Sequence, residues 1–293
     1  FEEQLQNQKI PVEIKYLPII ESRLDPKAVS KVGATGLWQF MFYTALENGL
    51  KMNSYIDERM DPLKSTTAAT KYLQKLYEIH SDWNLVLASY NAGPRTISRA
   101  KKQSGGHTNY WNIRPFLPRE TANYVPSFIA TMYILEYAEE HGIDIHKAEK
   151  PIFKTEKVVI EEKIAFDHIS KFFDYSADSI KRLNPSYIHS IVPGNSKNEL
   201  MLSSEIVDRF IMQKEELYSY AKVEFDKREK PLPDLYSIDS KLIYKVKYGE
   251  FLGKIARKFG VKVSDIKRWN NLKNDNIREN QKLIIFPKRI PKS

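Results

Sequence analysis

Apolar side chains recur at helical spacing through roughly the first half of the chain. The segment 11–17 begins with Pro11 and has apolar residues three and four positions apart, which predicts a helix that starts at the proline. Asp25 and Pro26 together predict the start of another helix. Ser65 predicts the N-terminal cap of a long helix. The apolar face of that helix consists of Ala69, Tyr72, Leu73, Leu76 and Tyr77.

Three further signals extend this helical pattern. Asp82 precedes a short apolar helix at 85–90, and the Ser-Gly-Gly sequence at 104–106 predicts a loop. The segment 121–137 is apolar nearly all round, which predicts a helix buried on every side. We therefore expect the chain up to about residue 150 to be mainly helical.

Beyond Pro151 the pattern changes, and two parts of the chain then resemble each other. The segment 169–173 matches 255–259, and the segment 180–184 matches 266–270, both at an offset of 86 residues. Unrelated helices seldom match at one constant offset, so we interpret the pair as an internal repeat.

Each copy of the repeat is predicted to be a βααβ unit, with strands at 243–247 and 282–286 in the second copy. A charged amphipathic helix at 204–222 and an extended segment at 227–234 lie between the copies. The predicted fold class is α+β. The predicted domains are a helical domain at 1–150, a first repeat at 151–203, a helix and linker at 204–240, and a second repeat at 241–293.

Composition narrows the class of protein. The 293 residues are 42% hydrophobic and 28% charged, which is typical of a globular chain with two or more domains. No apolar run approaches the roughly 18 residues that span a bilayer. The chain begins at Phe1 without a signal peptide, so we interpret it as a mature or trimmed chain whose secretion signal or lipid anchor lies outside it.

Charge and motif content exclude several functions. The absence of cysteine excludes disulfides, thiolate metal sites and a cysteine nucleophile. A net charge of +9 suits an acidic polymer: nucleic acid, an anionic membrane or a cell-wall glycan. The chain has no zinc-ligand spacing, no HExxH pair and no nucleic-acid recognition motif. We therefore expect no metal, no cofactor and no nucleic-acid partner.

One carboxylate follows an apolar stretch. Glu21 comes directly after the run 17–20 and shortly before Leu24. Most glutamates near a helix end are solvated surface charges. Apolar surroundings, however, raise the pKa of a carboxyl and keep its proton until a substrate oxygen takes it. Glu21 is therefore a candidate general acid of a glycosidase.

A glycosidase normally needs a second carboxylate. Asp25 is the nearest candidate, but an Asp-Pro pair favours a helix cap. If Asp25 is a cap, the nucleophile comes from the substrate, which is a recognised exception. Gln39 lies among aromatic residues, where a buried amide needs a sugar or a backbone group as its partner. Gly36 permits a tight turn just before Gln39.

Four short motifs resemble those of a known family. Glu21-Ser22, GLWQFM at 36–41, YNAG at 90–93 and ETANY at 120–124 occur in the order and rough spacing of the soluble lytic transglycosylases, which are related to goose-type lysozyme. The tryptophan of GLWQFM and the repeats that follow are most similar to the membrane-bound murein transglycosylase D group. The resemblance implies a lysozyme-like fold for the helical domain.

The resemblance also implies roles for the residues of the first two motifs. Glu21 would act as general acid and then as general base, and Ser22 would orient it. Gln39 would hydrogen-bond a sugar in a groove that includes Met41.

The last two motifs would complete the site. Tyr90 and Asn91 would hold the N-acetylmuramyl unit near the cleavage point. Tyr124 would position the catalytic carboxylate or the substrate, and Glu120 would support the site.

The implied reaction cleaves the β-1,4 bond between N-acetylmuramic acid and N-acetylglucosamine without water and gives 1,6-anhydromuramyl products. Two alternatives stay open: a hydrolytic muramidase with Asp25 or another acid as base, and a non-catalytic peptidoglycan-binding scaffold. The implied partner is the peptidoglycan strand, in the periplasm or cell envelope. Outer-membrane anchoring through a segment not present in this chain is also left open.

The second repeat resembles a LysM module, a type that binds glycans containing N-acetylglucosamine. Two departures lie near the expected binding loops: Gly-Glu-Phe at 249–251 in place of Gly-Asp-Thr, and Asn280 in place of glycine. The first repeat departs further, with Lys163 at the position of a glycine and Leu183 at that of a tryptophan. For the first repeat, a structural module packed on the catalytic domain is at least as good an interpretation as a glycan-binding one.

Overall fold

A computed structural model describes residues 1–144, 154–194, 198–229, 231–232, 235 and 242–287 of the chain. The domain boundary predicted near residue 150 and part of the linker predicted at 227–234 lie outside the described residues, so the domain bounds stay a prediction. The chain forms two compact units. The first comprises Phe1–Ala28, Gly36–Gln39 and Pro62–Glu149, and the second Val29–Thr35, Phe40–Asp61 and Lys150–Ser293.

The first 144 residues are mainly helical, as predicted. Three short 3₁₀ helices cover Val12–Tyr16, Glu58–Met60 and Arg114–Phe116. The α-helices described in this part are α1 (Glu2–Asn7), α2 (Leu17–Ser22), α3 (Phe42–Glu47), α4 (Pro62–His80), α5 (Trp83–Ala92), α6 (Pro94–Gln103), α7 (Tyr110–Ile113) and α8 (Arg119–Glu136). Of these, α3 belongs to the second compact unit and the others to the first.

Two predicted helix starts are wrong. No helix begins at Asp25, because Arg23 and Leu24 adopt left-handed conformations that end α2. The Asp25 carboxylate instead accepts the backbone N–H of Lys27 at 2.8 Å and closes a turn. Ser65 is not a cap either, since α4 starts earlier with a proline in its first position and Ser65 is buried within the helix.

The start of α5 and the burial of α8 can also be compared with their predictions. The short apolar helix predicted after Asp82 is confirmed, and Asp82 caps it by accepting the backbone N–H of Leu85 at 2.8 Å. The buried residues of α8 are confined to its first half. Tyr133, in its second half, is 48% exposed, and several apolar neighbours are exposed too. The prediction that this helix is buried on every side is therefore wrong.

Beyond residue 153, the described strands pair into three two-stranded antiparallel sheets. β1 (Thr155–Ile160) pairs with β4 (Asn198–Ser203), β2 (Ile164–Ala165) with β3 (Ile191–Val192), and β5 (Leu242–Lys245) with β6 (Lys282–Ile285). The helices are α9 (Phe166–Phe173), α10 (Ala177–Leu183), α11 (Ser204–Met212), α12 (Lys214–Asp226), α13 (Leu252–Phe259) and α14 (Val263–Trp269). The α+β class is confirmed, and the single helix predicted at 204–222 is in fact two.

The internal repeat is confirmed by its hydrogen bonds as well as its elements. Asn184 donates its side-chain amide to the carbonyls of Ile180 at 2.9 Å and Met201 at 2.7 Å, and accepts the N–H of Met201 at 2.7 Å. Asn270 makes the same three bonds in the second repeat, at 2.9, 2.7 and 2.6 Å. In each copy one asparagine therefore fastens the end of the second helix to the closing strand. The first copy adds the strand pair β2–β3 to the predicted βααβ unit.

A bilayer-spanning helix is not found among the described residues, since none is both long and apolar enough.

Replacing Asn270 with alanine should loosen the second repeat. The N–H and C=O of Ile284 would lose their side-chain partner, and unsatisfied backbone groups of this kind cost about 1–3 kcal/mol. We expect faster amide hydrogen exchange in β6 and a lower denaturant midpoint for this repeat. Asn276→Ala, in an exposed loop, is the matched control. Equal exchange in the two variants would contradict the fastening role.

Candidate active site

Glu21 lies in the last turn of α2, a helix that ends directly after Ser22. Leu17 and Pro18 of the same helix are buried, whereas Leu24, which the sequence grouped with them, is exposed. Glu21 itself is only partly exposed. The helix therefore delivers one carboxyl to the edge of the core of the first unit.

The surroundings of Glu21 control its proton. Burial raises the pKa of Glu21 to about 7; the hydroxyl of Tyr124 acts in the opposite direction, and the charge of Glu120 raises the pKa further. The Tyr124 hydroxyl donates a hydrogen bond to Glu21 Oε1. The raised pKa agrees with the expectation from the apolar sequence around Glu21. A carboxyl of this pKa holds its proton in a large fraction of molecules at neutral pH.

The turn at Gly36–Gln39 is held by its own backbone and by a buried indole. Gly36 donates its N–H to the Ala28 carbonyl at 2.9 Å and has a φ of +86°, which glycine adopts without steric penalty. The indole of Trp38 is fully buried and donates Nε1–H to Thr66 Oγ1 at 2.9 Å. Trp38 is therefore a core anchor of the turn.

Gln39 ends this turn in a left-handed conformation, with a φ of +47°. Its amide Nε2 donates to the carbonyls of Gly36 at 2.9 Å and Ala28 at 3.2 Å. Of the two partners expected for this amide, the structure shows the backbone one. A left-handed residue other than glycine costs on the order of 1 kcal/mol and is typical of functional sites.

Two side chains tie this turn to the rest of the site. Ser22 Oγ lies 2.9 Å from the carbonyl oxygens of both Pro18 and Leu37, so its hydroxyl links the end of α2 to the turn. Tyr90 donates its hydroxyl to the Trp38 carbonyl at 2.7 Å. No hydrogen bond from Ser22 to Glu21 is among the described contacts, and the orienting role assigned to Ser22 stays a prediction.

The ends of α5 and α8 meet at the same place. Thr121 Oγ1 donates to Asn91 Oδ1 at 2.8 Å. Burial raises the pKa of the Tyr90 hydroxyl well above its usual value, and the nearby charge of Glu21 adds to the effect. Glu21, Tyr90, Asn91 and Tyr124, which are far apart in the sequence, are thus brought together in the first unit.

Three predicted residues lie differently. Glu120 is exposed, as is Asp25, whose carboxylate closes a turn. Met41 is exposed and belongs to the second compact unit, so its role in a groove stays a prediction. Within the described parts of the chain, no group of three or more His, Asp or Glu side chains could hold a metal ion.

Sequence reasoning overlooked two contributors to this site. Thr66, the partner of the Trp38 indole, stands in a helix face with no distinguishing pattern. Thr121, the partner of Asn91, is part of the ETANY motif, so the motif itself was the available signal.

Three segments of the chain match known protein families. Residues 1–113 match the Transglycosylase SLT domain. Residues 154–219 match the LysM-like domain of lytic transglycosylase MltD, and residues 244–286 match the LysM domain.

Two curated proteins and one solved structure are similar to this chain. Membrane-bound lytic murein transglycosylase D of Escherichia coli K12 is 29% identical over 287 residues, which are 96% of this chain and 61% of that protein. Soluble lytic murein transglycosylase of Salmonella typhimurium is 35% identical over 118 residues, 38% of this chain and 18% of that protein. The crystal structure of the 70 kDa soluble lytic transglycosylase of Escherichia coli covers 47% of this chain and 24% of its own, with 27% identity and a TM-score of 0.41.

The resemblance drawn from the four motifs is thereby confirmed: the chain matches the Transglycosylase SLT domain and, after it, two domains of LysM type. Its sequence is similar to membrane-bound lytic murein transglycosylase D over nearly its whole length. The chain spans 61% of the length of that relative.

Replacing Tyr124 with phenylalanine should shift the pH dependence of cleavage. The Tyr124 hydroxyl lowers the pKa of Glu21, so its removal should raise that pKa above about 7. A general acid is active when protonated, so activity is lost as pH rises through the pKa. We expect the alkaline limb of kcat/KM to move to higher pH by roughly 0.5–1 unit.

The control for this experiment is Tyr133→Phe, an exposed tyrosine of the same helix, which should leave the profile unchanged. An unchanged or acid-shifted limb in Tyr124→Phe would show that the hydroxyl does not control the proton of Glu21.

Proposed function

We propose that this chain is a peptidoglycan lytic transglycosylase. It cleaves the β-1,4 bond between N-acetylmuramic acid and N-acetylglucosamine without water and leaves a 1,6-anhydromuramyl end. The observation that carries this proposal is a single carboxyl, Glu21, whose pKa is raised to about 7 and which accepts the hydroxyl of Tyr124. A carboxyl of this kind is suited to give a proton and then take one back.

The first step needs a proton on the glycosidic oxygen. Glu21 donates it, the bond between muramyl C1 and that oxygen breaks, and the N-acetylglucosamine unit leaves with a free hydroxyl. The N-acetyl carbonyl of the substrate stabilises the positive charge that develops at C1. The Glu21 carboxylate formed in this step keeps its hydrogen bond from Tyr124.

In the second step the muramyl C6 hydroxyl attacks C1 and passes its proton to the Glu21 carboxylate. The ring closes, the acid is regenerated and no water is consumed. The environment of Asp25 favours this outcome over hydrolysis. Asp25 is exposed and accepts a backbone N–H in a turn, so it is not held as a base for water.

The substrate is held by the residues that surround the acid. Both N–H groups of the Gln39 amide are used by the carbonyls of Gly36 and Ala28, so Gln39 offers the sugar its amide oxygen as an acceptor. Trp38 and Ser22 hold the turn that ends at Gln39. Tyr90 and Asn91 line the end of α5, where the muramyl unit binds. Ser22 orients Glu21 through the turn, and Glu120 supports the site by its charge.

The second LysM-type domain attaches the enzyme to peptidoglycan strands. Tyr248 is 88% exposed and Phe251 is exposed too, on either side of Gly249 and Glu250 in one loop. The Glu250 carboxylate is held within the domain, because it accepts hydrogen bonds from the Tyr244 hydroxyl at 2.8 Å and the Lys247 N–H at 2.9 Å. Asn280 has a φ of +66°, which accounts for the glycine usual at its position.

The place of action is the periplasm or cell envelope, where peptidoglycan is found. Attachment to the outer membrane is part of the same proposal.

Mass spectrometry of peptidoglycan sacculi after digestion tests the reaction. Products one water lighter than those of a muramidase, absent with Glu21→Gln, are expected. Products with reducing muramic acid ends would instead establish a hydrolase. Strands bound but left uncut by the wild-type chain would indicate a scaffold. Glu21→Gln should fold normally, because the amide keeps the shape of the side chain.

A further inference from the structure

A buried ion pair lies outside the groups used so far. Asp57 and Arg59 are each 3% exposed. Arg59 Nη2 donates to Asp57 Oδ2 at 2.8 Å and Nε donates to Asp57 Oδ1 at 3.0 Å, so the ion pair is bidentate. Removing two charges from water is expensive, so a buried pair is weak evidence for stability in itself. The role of this pair therefore depends on the backbone groups that it holds in place.

The third nitrogen of the guanidinium points to the base of the Gln39 turn. Arg59 Nη1 donates to the carbonyls of Gly33 at 3.0 Å and Phe40 at 3.2 Å. Phe40 and Thr35 also exchange backbone hydrogen bonds of 3.1 Å in both directions. The four residues between this pair are the turn itself, and Gln39 is joined to Phe40 by a peptide bond. Arg59 thus contacts the backbone on both sides of the turn, at Gly33 and Phe40.

The other side of the pair is fastened to the first LysM-type repeat. Asp57 donates its N–H to the Ser186 carbonyl at 2.9 Å, and Ile188 donates its N–H to the Tyr55 carbonyl at 2.8 Å. Between these bonds Ile56 and Tyr187 form a β-bridge.

The side chains of Tyr55 and Ile56 also pack against the first repeat. Tyr55 is buried in one cluster with Ala165 and Ile191 of the repeat, and Ile56 packs against the main core of the repeat. The segment 55–57 therefore behaves as an added edge of that repeat, although the sequence places it within the catalytic domain.

We propose that Asp57 and Arg59 are positioning residues for the turn that carries Gln39, and that the first LysM-type repeat is the support against which they hold it. The proposal rests on the proposed role of Gln39 in holding the glycan. It assigns to this repeat a part in the geometry of the site, in place of, or beside, any glycan binding of its own.

A double-mutant cycle between Arg59 and Gln39 tests the connection. The four proteins are the Glu21→Gln parent, the parent with Arg59→Lys, the parent with Gln39→Ala, and the parent with both. The dissociation constant of a soluble N-acetylglucosamine–N-acetylmuramic acid oligomer is measured by calorimetry. Lysine is a single point charge and cannot reproduce the fork and both carbonyl bonds.

Each single variant should weaken binding on the order of tenfold, since a misplaced contact loses most of its contribution. Because Arg59 acts through Gln39, the double variant should bind about as weakly as the weaker single variant. Losses that multiply would overturn the proposal, as would a Gln39→Ala protein that binds like its parent.

Two further variants separate positioning from general stability. Arg209→Lys makes the same exchange at an exposed arginine of the second unit, and it should not change binding. Ile56→Ala trims a contact with the repeat and leaves the ion pair intact, so it should weaken binding without adding to the effect of Gln39→Ala. If thermal melting shows that Arg59→Lys does not fold, Ile56→Ala takes its place in the double-mutant cycle with Gln39→Ala. The double variant should again bind about as weakly as the weaker single variant.

Binding is measured in proteins that cannot turn over, so the cycle gives its answer whether or not the wild-type chain cleaves sacculi. A wild type that binds without cleaving would remove the proposed reaction and leave the positioning proposal to be judged by the cycle alone.

Discussion

The contact between Glu21 and Tyr124 is the interaction on which the proposed site depends. Burial raises the pKa of this carboxyl to about 7, and the tyrosine hydroxyl limits the rise. The unfolded chain loses the Glu21 proton near its ordinary pKa, whereas the folded chain holds it to higher pH. The folded state is therefore penalised increasingly as pH rises from about 4.5 to about 7, by at most about 3 kcal/mol. The raised pKa that keeps Glu21 protonated therefore lowers the free energy of unfolding at neutral pH.

The rest of the first unit holds other groups around that carboxyl. Helix α5 supplies Tyr90 and Asn91, helix α8 supplies Thr121 and Tyr124, and their hydrogen bonds join the two helices to each other and to the turn. The hydroxyl of Ser22, the residue after Glu21, lies 2.9 Å from a carbonyl of the turn. Glu21 and the turn are thus connected by rigid elements, and such connections keep a site preorganised.

Much of this could be predicted because its signals are local. The short helix that follows Asp82 and the constant offset of the repeats depend on residues close together in the chain. The failures depend on the backbone or on distant partners. Arg23 and Leu24 end α2 in a left-handed conformation that no side chain announces, so a false helix was predicted after them. Arg59 reads as an ordinary charged residue, because the carbonyls that it contacts come from residues distant in the sequence.

The most direct test is a titration of the Glu21 carboxyl itself, followed by carbon-13 NMR and assigned by the signal missing in Glu21→Gln. The signal should titrate with a midpoint near pH 7, because burial disfavours the charged form. A midpoint near 4.5, the ordinary value for glutamate, would show that Glu21 is a solvated charge and would contradict its assignment as the acid that protonates the glycosidic bond.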